Sequence, residues 1–302
     1  MIYTVTLSPA LDYAVFLDQL ETGAVNRISR GELRCGGKGV NVSVVLYNLG
    51  IDTVALGFLA GFTGEMIHKW MDEMGVENDF CFLSSGMNRI NVKLKWDGET
   101  DLNGESPPIS PLDLEALLAK LDRLTRNDTL VLAGSIPPSM PCDTYEQILS
   151  RLAPKNVRVV ADVAGNTLSG LLQYHPFLIK PSLADFSHLC GRDVDGTDLD
   201  ALRGCIRDLQ TGGGRNILVS LGQEGAFLAT EDGQVLHQKA PQGELVNSVG
   251  AGDSLVAGFL AGYQRTGLFR EALRMGTAAG SATVFSHKLA TRTGVDQLLD
   301  TM

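Results

Sequence analysis

The feature that most constrains the fold is an alternation of short β-rich runs with amphipathic helical segments along 302 residues. The β-rich runs hold consecutive apolar residues, which is typical of strands covered on both faces. We predict strands at Tyr3–Leu7, Thr53–Phe58, Thr129–Ala133, Arg158–Asp162, Phe177–Ile179 and Ile217–Ser220. We predict helices at Gly39–Leu49, Gly64–Met74, Pro111–Thr125, Thr144–Leu152, Asp198–Leu209, Asp253–Arg265 and Phe269–Ser286. This order favours an α/β fold with a mostly parallel sheet flanked by helices, whose ligands bind at the carboxyl ends of the strands.

Two segments interrupt the alternation, around residues 12–33 and 88–103. The stretch Asn91–Trp96 alternates with a period of two, and the Asp97-Gly98 pair after it is typical of a hairpin turn. No internal repeat or low-complexity linker divides the chain. We therefore expect a single domain over residues 1–302, with a small projecting β-sheet that serves as a lid or a dimer surface.

Charge and composition exclude several classes of function. A net charge of −10 argues against binding to nucleic acid or to an anionic membrane, and no apolar run is long enough to span a bilayer. The five cysteines lack C-x-x-C spacing, which predicts neither a zinc site nor a disulfide framework. We expect a cytoplasmic protein with reduced thiols. If its substrate is anionic, local cations such as Arg27, Lys38 and Arg89 must overcome the overall negative field.

The turn Gly250-Ala251-Gly252-Asp253 stands at a predicted helix start. Glycine lets the backbone approach a ligand closely, and a helix N-terminus offers unpaired N–H groups to a phosphate. Asp253 in the same turn can take a proton from a hydroxyl. The combination indicates phosphoryl transfer to an alcohol. The alternative is a tight turn that Asp253 caps without any chemistry.

A second glycine cluster, Gly36-Gly37-Lys38-Gly39-Val40-Asn41, opens another predicted helix. Lys38 supplies a point charge, and Asn41 supplies both a donor and an acceptor. The spacing matches neither a Walker A loop nor the G-x-G-x-x-G pattern of dinucleotide folds. By itself the cluster could be a turn with a solvated lysine; together with the later turn it indicates an anion site.

With both clusters in place, the chain resembles the ribokinase-like carbohydrate kinases of the phosphofructokinase-B type over nearly its whole length. The motifs that carry the resemblance, in family order, are Ser8–Asp12, Gly36–Asn41, Gly134–Pro137, Lys180–Ser182, Ser220–Ala226 and Gly250–Asp253. The resemblance implies a three-layer ribokinase-like fold with a small β-sheet lid. It also implies ATP as phosphoryl donor, Mg²⁺, a phosphosugar as acceptor, and a homodimer formed through the lid.

The resemblance assigns roles to individual residues. Asp253 would be the catalytic base, and the three residues before it, Gly250, Ala251 and Gly252, would offer N–H groups to the migrating phosphoryl group. Sugar hydroxyls would be held by Asp12, Gly37 and Asn41. The phosphate already on the sugar would be bound by Lys38, Arg27, Arg89 and Ser135. The nucleotide would be bound by Lys180, Ser220, Gly222, Gly225, Ser248, Val249, Gly250, Ala251, Gly252, Gly280 and Ser281, with Thr277 nearby.

The chain departs from the family pattern after Lys180-Pro181, where Asn-x-x-Glu is common. Ser182 and Asp185 occupy those positions. Asp185 keeps the charge but has a shorter reach, so any contact with Mg²⁺ would pass through water. Ser248 likewise replaces a common threonine and keeps the hydroxyl.

The segments Arg89–Leu94 and Thr100–Asn103 resemble the branch that converts D-fructose 1-phosphate to D-fructose 1,6-bisphosphate. Kinases of tagatose 6-phosphate or fructose 6-phosphate remain alternatives within the family. A non-catalytic protein that binds a sugar phosphate or a nucleotide is an alternative of another class, which the presence of Asp253 disfavours. An NAD-dependent dehydrogenase is disfavoured because the first predicted strand is not followed by G-x-G-x-x-G.

Overall fold

The computed structural model describes residues 1–195 and 199–302. Within these ranges nine strands form one sheet, in the order β13-β12-β11-β10-β9-β8-β1-β4-β5. All neighbours are parallel except the β11–β12 and β12–β13 pairs at one edge. The strands are β1 (Ile2–Thr6), β4 (Thr53–Leu59), β5 (Cys81–Phe82), β8 (Thr129–Ala133), β9 (Arg158–Asp162), β10 (Leu178–Ile179), β11 (Asn216–Ser220), β12 (Ala226–Ala229) and β13 (Val235–Gln238).

Helices cover both faces of this sheet, so the predicted three-layer arrangement is confirmed. They are α1 (Lys38–Asn48), α2 (Gly61–Met74), α3 (Pro111–Leu121), α4 (Thr144–Leu152), α5 (Gly165–Leu171), α6 (Leu183–Leu189), α7 (Leu199–Thr211), α8 (Ala251–Thr266), α9 (Phe269–Val284) and α10 (Arg292–Leu299). Alternate residues of the strands enter opposite cores. Leu130 and Leu132 of β8 pack with α3 and α4, whereas Val131 packs with α1, α8 and α9.

Most predicted elements are present with bounds that differ by a few residues. The helix predicted over Pro111–Thr125 ends at Leu121, and the one predicted over Phe269–Ser286 ends at Val284. The first residue of the helix predicted over Asp198–Leu209 lies outside the described residues. Six short elements among the described residues were not predicted, because they have too few residues to show a clear period: α5, α6, α10, β5, β12 and β13.

The two segments that interrupt the alternation form a separate sheet of four strands, hereafter the lid sheet, in the order β3-β2-β6-β7. Its strands are β2 (Ala10–Phe16), β3 (Arg30–Gly36), β6 (Arg89–Lys95) and β7 (Glu99–Leu102). Two antiparallel hairpins, β2–β3 and β6–β7, join through a parallel β2–β6 pair. The chain enters the lid sheet after β1 and leaves it at α1, which places the sheet beside the carboxyl edge of the larger sheet.

Among the described residues, no helix combines the length and the apolarity that a bilayer crossing requires. All five cysteines are free thiols.

Candidate active site

Helix α8 begins inside the turn Gly250–Asp253, two residues before the predicted start. Gly250 caps it with a left-handed backbone, φ 82° and ψ 0°, and a side chain there would be strained and would collide with Leu289 Cδ2. Ala251 and Gly252 form the first turn, and Asp253 is the third helical residue. No described side chain caps this end. Ala251 N makes a long bond to Ser248 O at 3.4 Å, so the amides of Gly252 and Asp253 are the ones most available to an anion.

Asp253 is buried, with 7% of its surface exposed. Asn41 Nδ2 in the first turn of α1 donates a hydrogen bond to Asp253 Oδ2 at 2.8 Å. Burial raises the pKa of Asp253 to about 6, and the nearby Asp162 carboxylate adds to the rise. The bond from Asn41 and the charges of Lys38 and Lys180 oppose it. A carboxylate with a pKa just below neutral is ionised at pH 7 and more basic than an ordinary aspartate, which suits a general base.

The carboxylate of Asp162, at the end of β9, holds two lysines. Lys38 Nζ and Lys180 Nζ lie 3.1 Å and 3.2 Å from the same oxygen, Asp162 Oδ1. Burial alone would raise the pKa of Asp162, but the two lysines outweigh it and the pKa falls. Burial likewise disfavours the charge on Lys38, yet Asp162 and Asp253 bring its pKa above the ordinary value. Asp162 and Lys38 are therefore both charged at neutral pH.

A cavity of about 600 Å³ opens beside Lys38 at the carboxyl ends of β1 and β8. Arg89 from the lid sheet and Ser135 after β8 line it together with Lys38. Arg89 Nε is buried and has no partner among the described residues. Burial lowers the pKa of Arg89, and nearby Asp12 opposes that shift. Two cations, an unpaired N–H donor and a hydroxyl thus face a space large enough for a phosphate group.

A smaller cavity of about 90 Å³ adjoins the turn under the lid sheet. It is lined by Asp12 and Asn41, two predicted ligands of sugar hydroxyls, and by Val249. Asn91 Nδ2 of the lid sheet donates to Asp12 Oδ1 at 2.7 Å, which fixes the direction of that carboxylate. Gly37, the third predicted hydroxyl ligand, is the N-cap of α1 with φ 114°.

A third cavity, of about 610 Å³, lies on the other side of the turn. Most of the predicted nucleotide-binding residues meet there: Ser220, Gly222, Gly225, Ser248, Ala251, Gly252, Thr277, Gly280 and Ser281. Thr277 Oγ1 is buried without a partner among the described residues. A β-carbon added at Gly252 would lie 3.4 Å from Lys180 Nζ. Lys180 therefore reaches the turn between the cavities rather than the wall of the third cavity.

Some of the predicted site residues line none of the three cavities: Gly37, Gly250, Asp253, Lys180, Arg27 and Asp185. Val249 lines the smaller cavity under the lid sheet rather than the third cavity. Arg27 is exposed in the connection between β2 and β3 and lines none of the three cavities. Asp185 forms a capping box with Ser182 at the start of α6, where Ser182 Oγ donates to Asp185 Oδ2 at 2.5 Å. Its other oxygen accepts from Gly165 N at 3.3 Å.

Asp162 and Asn91 lie in the site but were not among the predicted site residues. Asp162 was included in a predicted strand, as its last residue. A charged residue at the carboxyl end of a buried parallel strand points to the ligand-binding edge, and that signal could have identified it. Asn91 was assigned only to a period-two pattern. Its contact with Asp12 depends on the register of β2 against β6, which places these two residues opposite each other.

The arrangement of the three cavities around the turn indicates which reaction the site can support. A buried carboxylate, Asp253, lies at a helix N-terminus. Ala251 and Gly252 just before it line the third, glycine-lined cavity, and its partner Asn41 lines the small cavity under the lid sheet. The helix N-terminus and Lys180 can stabilise negative charge on a group that passes between the cavities. Asp253 can receive the proton of a hydroxyl that attacks that group. This arrangement is typical of phosphoryl transfer to an alcohol that already carries a phosphate.

Known proteins are similar to this chain in sequence and in architecture. A 1-phosphofructokinase of Bacillus subtilis is 43% identical over 299 residues, covering 99% of this chain and 97% of that protein. A D-tagatose-1-phosphate kinase of Bacillus licheniformis is 32% identical and covers 98% and 97%. The crystal structure of Escherichia coli phosphofructokinase-2 in complex with substrates and products has a TM-score of 0.93, at 24% identity and 99% and 98% coverage. Residues 5–294 match the family model of the pfkB family carbohydrate kinases. The chain therefore belongs to the pfkB family of carbohydrate kinases.

Proposed function

We propose that this protein transfers a phosphoryl group from ATP to the 6-hydroxyl of D-fructose 1-phosphate, which yields D-fructose 1,6-bisphosphate and ADP. The observation that carries the proposal is the buried Asp253 in the first turn of α8, where Ala251 and Gly252 line the glycine-lined cavity and Lys38 of the cavity with two cations is close to the carboxylate. The 43% identity to a 1-phosphofructokinase over 99% of the chain supports the same sugar.

In this reaction the phosphate of the substrate lies against Lys38, Arg89 and Ser135. Two unit charges about 4 Å apart attract by about 4 kcal/mol at an effective dielectric of about 20, before desolvation. That energy favours a sugar phosphate over a free sugar. Arg27 would add a further cation only if the exposed β2–β3 connection moves toward the site, or if it comes from a second subunit.

Asp12, Gly37 and Asn41 hold the sugar hydroxyls, and Asn91 keeps the Asp12 carboxylate in place. Asp253 accepts the proton of the 6-hydroxyl as the new P–O bond forms. The amides of Gly250, Ala251 and Gly252 and the ammonium of Lys180 stabilise the charge on the transferred group. The nucleotide lies in the third cavity, against Ser220, Gly222, Gly225, Ser248, Gly280 and Ser281. Val249 helps to fix the turn from the sugar side.

We propose that Mg²⁺ arrives bound to ATP, where it neutralises phosphate charge. The described residues contain no group of three or more His, Cys, Asp or Glu side chains placed to hold a metal ion. They therefore fit an ion that keeps most of its waters and its phosphate ligands. Asp185 is the candidate protein contact. Because its oxygens already accept bonds from Ser182 and Gly165, it would reach the ion through water.

The test is a coupled assay of ADP release with ATP and a panel of fructose 1-phosphate, fructose 6-phosphate, tagatose 1-phosphate and tagatose 6-phosphate. We expect the highest kcat/KM with fructose 1-phosphate. Asp253→Asn should lower kcat by at least about 1,000-fold with little change in the affinity for either substrate. The matched control is Asp52→Asn, an exposed aspartate just before the amino end of β4. Tight sugar-phosphate binding without turnover would instead indicate a binding protein.

A kinase for D-tagatose 1-phosphate is the second candidate, because a relative with that name matches 98% of the chain. Tagatose and fructose differ only in the configuration at C4. The cations around the phosphate cannot distinguish the two sugars, and the discrimination falls to the hydroxyl ligands Asp12 and Asn41. A higher kcat/KM for tagatose 1-phosphate than for fructose 1-phosphate in the same panel would replace the first proposal with this one.

We further propose a homodimer formed through the lid sheet. One row across this sheet is apolar, because Tyr13 pairs with Leu33 and Val92, and Val92 pairs with Leu102. Leu33 is 40% exposed and Leu102 is 54% exposed. Light scattering should give a dimer for the wild type and a monomer for Leu102→Glu. Leu112→Glu on α3, 82% exposed, is the control. A wild-type monomer at all concentrations would contradict the proposal.

The five free thiols are consistent with a reducing compartment, which keeps cysteines unpaired. We propose that the protein works in the cytoplasm. Fractionation of the source cells with an antibody to the chain would test it.

A further inference from the structure

Asp162 is the most deeply buried charged group near the turn, with 1% of its surface exposed. One of its oxygens binds both Lys38 and Lys180, and the other, Oδ2, has no hydrogen-bond partner among the described residues. Burial of a carboxylate costs several kcal/mol in desolvation, and here it takes two lysines to outweigh that cost. A group this costly calls for a role beyond packing.

The two lysines point to different places. Lys38 lines the cavity assigned to the phosphate of the sugar, whereas Lys180 reaches Gly252 in the turn where the phosphoryl group passes. They come from different parts of the chain, the start of α1 and the end of β10. Without a shared anion, two ammonium groups this close would repel each other and separate. Asp162 is the described residue that binds both.

We propose that Asp162 is a positioning residue, which holds Lys38 at the sugar-phosphate cavity and Lys180 at the turn where the phosphoryl group passes, and which sets the electrostatic environment of Asp253. It touches neither the sugar nor the transferred group in this role. It acts on the reaction through the lysines. The inference deepens the proposed function and rests on it.

The charges around Asp253 make this role measurable. From the neighbouring elements it faces the anion Asp162 and the cations Lys38 and Lys180, and Asn41 donates to it. His287 lines the small cavity next to Asn41. Asp185 also acts on Lys38 at longer range. Because Asp162 disfavours the ionised form of Asp253, removal of its charge should make Asp253 a weaker base with a lower pKa.

The variant is Asp162→Asn, which keeps the shape and removes the charge. We expect kcat to fall by up to about 100-fold, because displacement of a group by about 1 Å can cost that much. The acid limb of the pH profile of kcat/KM should move to lower pH. Calorimetry should show about tenfold weaker binding of fructose 1-phosphate without nucleotide, since Lys38 loses its anchor.

Tyr145→Phe is the matched control. Tyr145 is fully buried and donates to the carbonyl oxygens of Ala133 and Gly134, next to the carboxylate. Its hydroxyl contributes to stability but carries no charge, so the acid limb and the affinity for the sugar phosphate should stay at the wild-type values. If Asp162→Asn does not fold, Lys180→Met provides the second test. Loss of that cation should move the acid limb to higher pH.

Turnover by the wild type with any phosphosugar of the panel tests the proposed function. The ratio of the kcat of Asp162→Asn to the kcat of the wild type tests the role of Asp162. An unmoved acid limb with kcat within about twofold of the wild type in Asp162→Asn would overturn the inference while the proposed function stands. So would an equal shift of the limb in Tyr145→Phe. If the wild type does not turn over, the calorimetric comparison still decides whether Asp162 supports the phosphate site.

Discussion

Replacement of Asp253 by Asn should stabilise the protein while it abolishes the reaction. The pKa of the buried carboxyl is raised from 3.8 to about 6, so the folded state binds its proton more tightly than the unfolded state does. The contribution of this group to stability is therefore greatest at low pH. It declines as the pH rises from the pKa of the unfolded state, 3.8, to that of the folded state, about 6. At pH 8 the ionised form costs about 3 kcal/mol relative to a neutral side chain, since a shift of one pKa unit is worth about 1.4 kcal/mol.

An asparagine at this position avoids that cost and can still accept the bond from Asn41. We expect the free energy of unfolding in urea to rise by about 3 kcal/mol at pH 8 and by about half as much at pH 5. For a chain of this size, the gain at pH 8 corresponds to roughly 5 °C in Tm. The Asp52→Asn control should change neither value. A variant that is less stable than the wild type at pH 8, or whose gain does not depend on pH, would refute the reasoning.

Three further predictions concern the groups around Asp253. Asn41→Ala removes the hydrogen bond to the Asp253 carboxylate, and a bond to a charged group is worth about 1.5–3 kcal/mol. The acid limb of the pH profile of kcat/KM should therefore move up by about one pH unit or more, and an unchanged limb would argue against the contact. Arg89→Met should raise KM for the sugar phosphate about 10–100-fold and leave KM for ATP unchanged; equal effects on both would mean that Arg89 acts on the fold. Gly250→Ala places a β-carbon against Leu289 on a left-handed backbone, which should cost about 1–2 kcal/mol of stability. It should also lower kcat more than it raises either KM. A fully active variant would show that the turn tolerates a side chain.

Much of the fold could be predicted because its signals are local. Strands such as Thr129–Ala133 are apolar without interruption, as double coverage requires, and the prediction matches the structure residue for residue. Long helices such as α8 show a clear apolar stripe or run. Short elements such as α6 were missed because seven residues are too few to establish a period.

Most of the residues predicted to bind the nucleotide meet in one cavity, and they could be grouped in advance because these glycines and small residues lie in motifs along the chain. Thr277, Gly280 and Ser281 follow a helical spacing, and they do face one cavity with Ser220. The lid side was predicted less completely. The contact between Asn91 and Asp12 requires the pairing of strands that are 79 residues apart.

By itself, the sequence determined the alternation of strands and helices, the two glycine-rich helix starts and the presence of a carboxylate in one of them. Those features depend on backbone preferences and on periodicity, which neighbouring residues encode. Only the tertiary structure decided that Asp162 would bind Lys38 and Lys180 together, and that Asp253 would be buried against Asn41. Burial and charge proximity depend on which distant segments meet at the edge of the sheet, and they set the pKa of Asp253 at about 6 rather than 3.8.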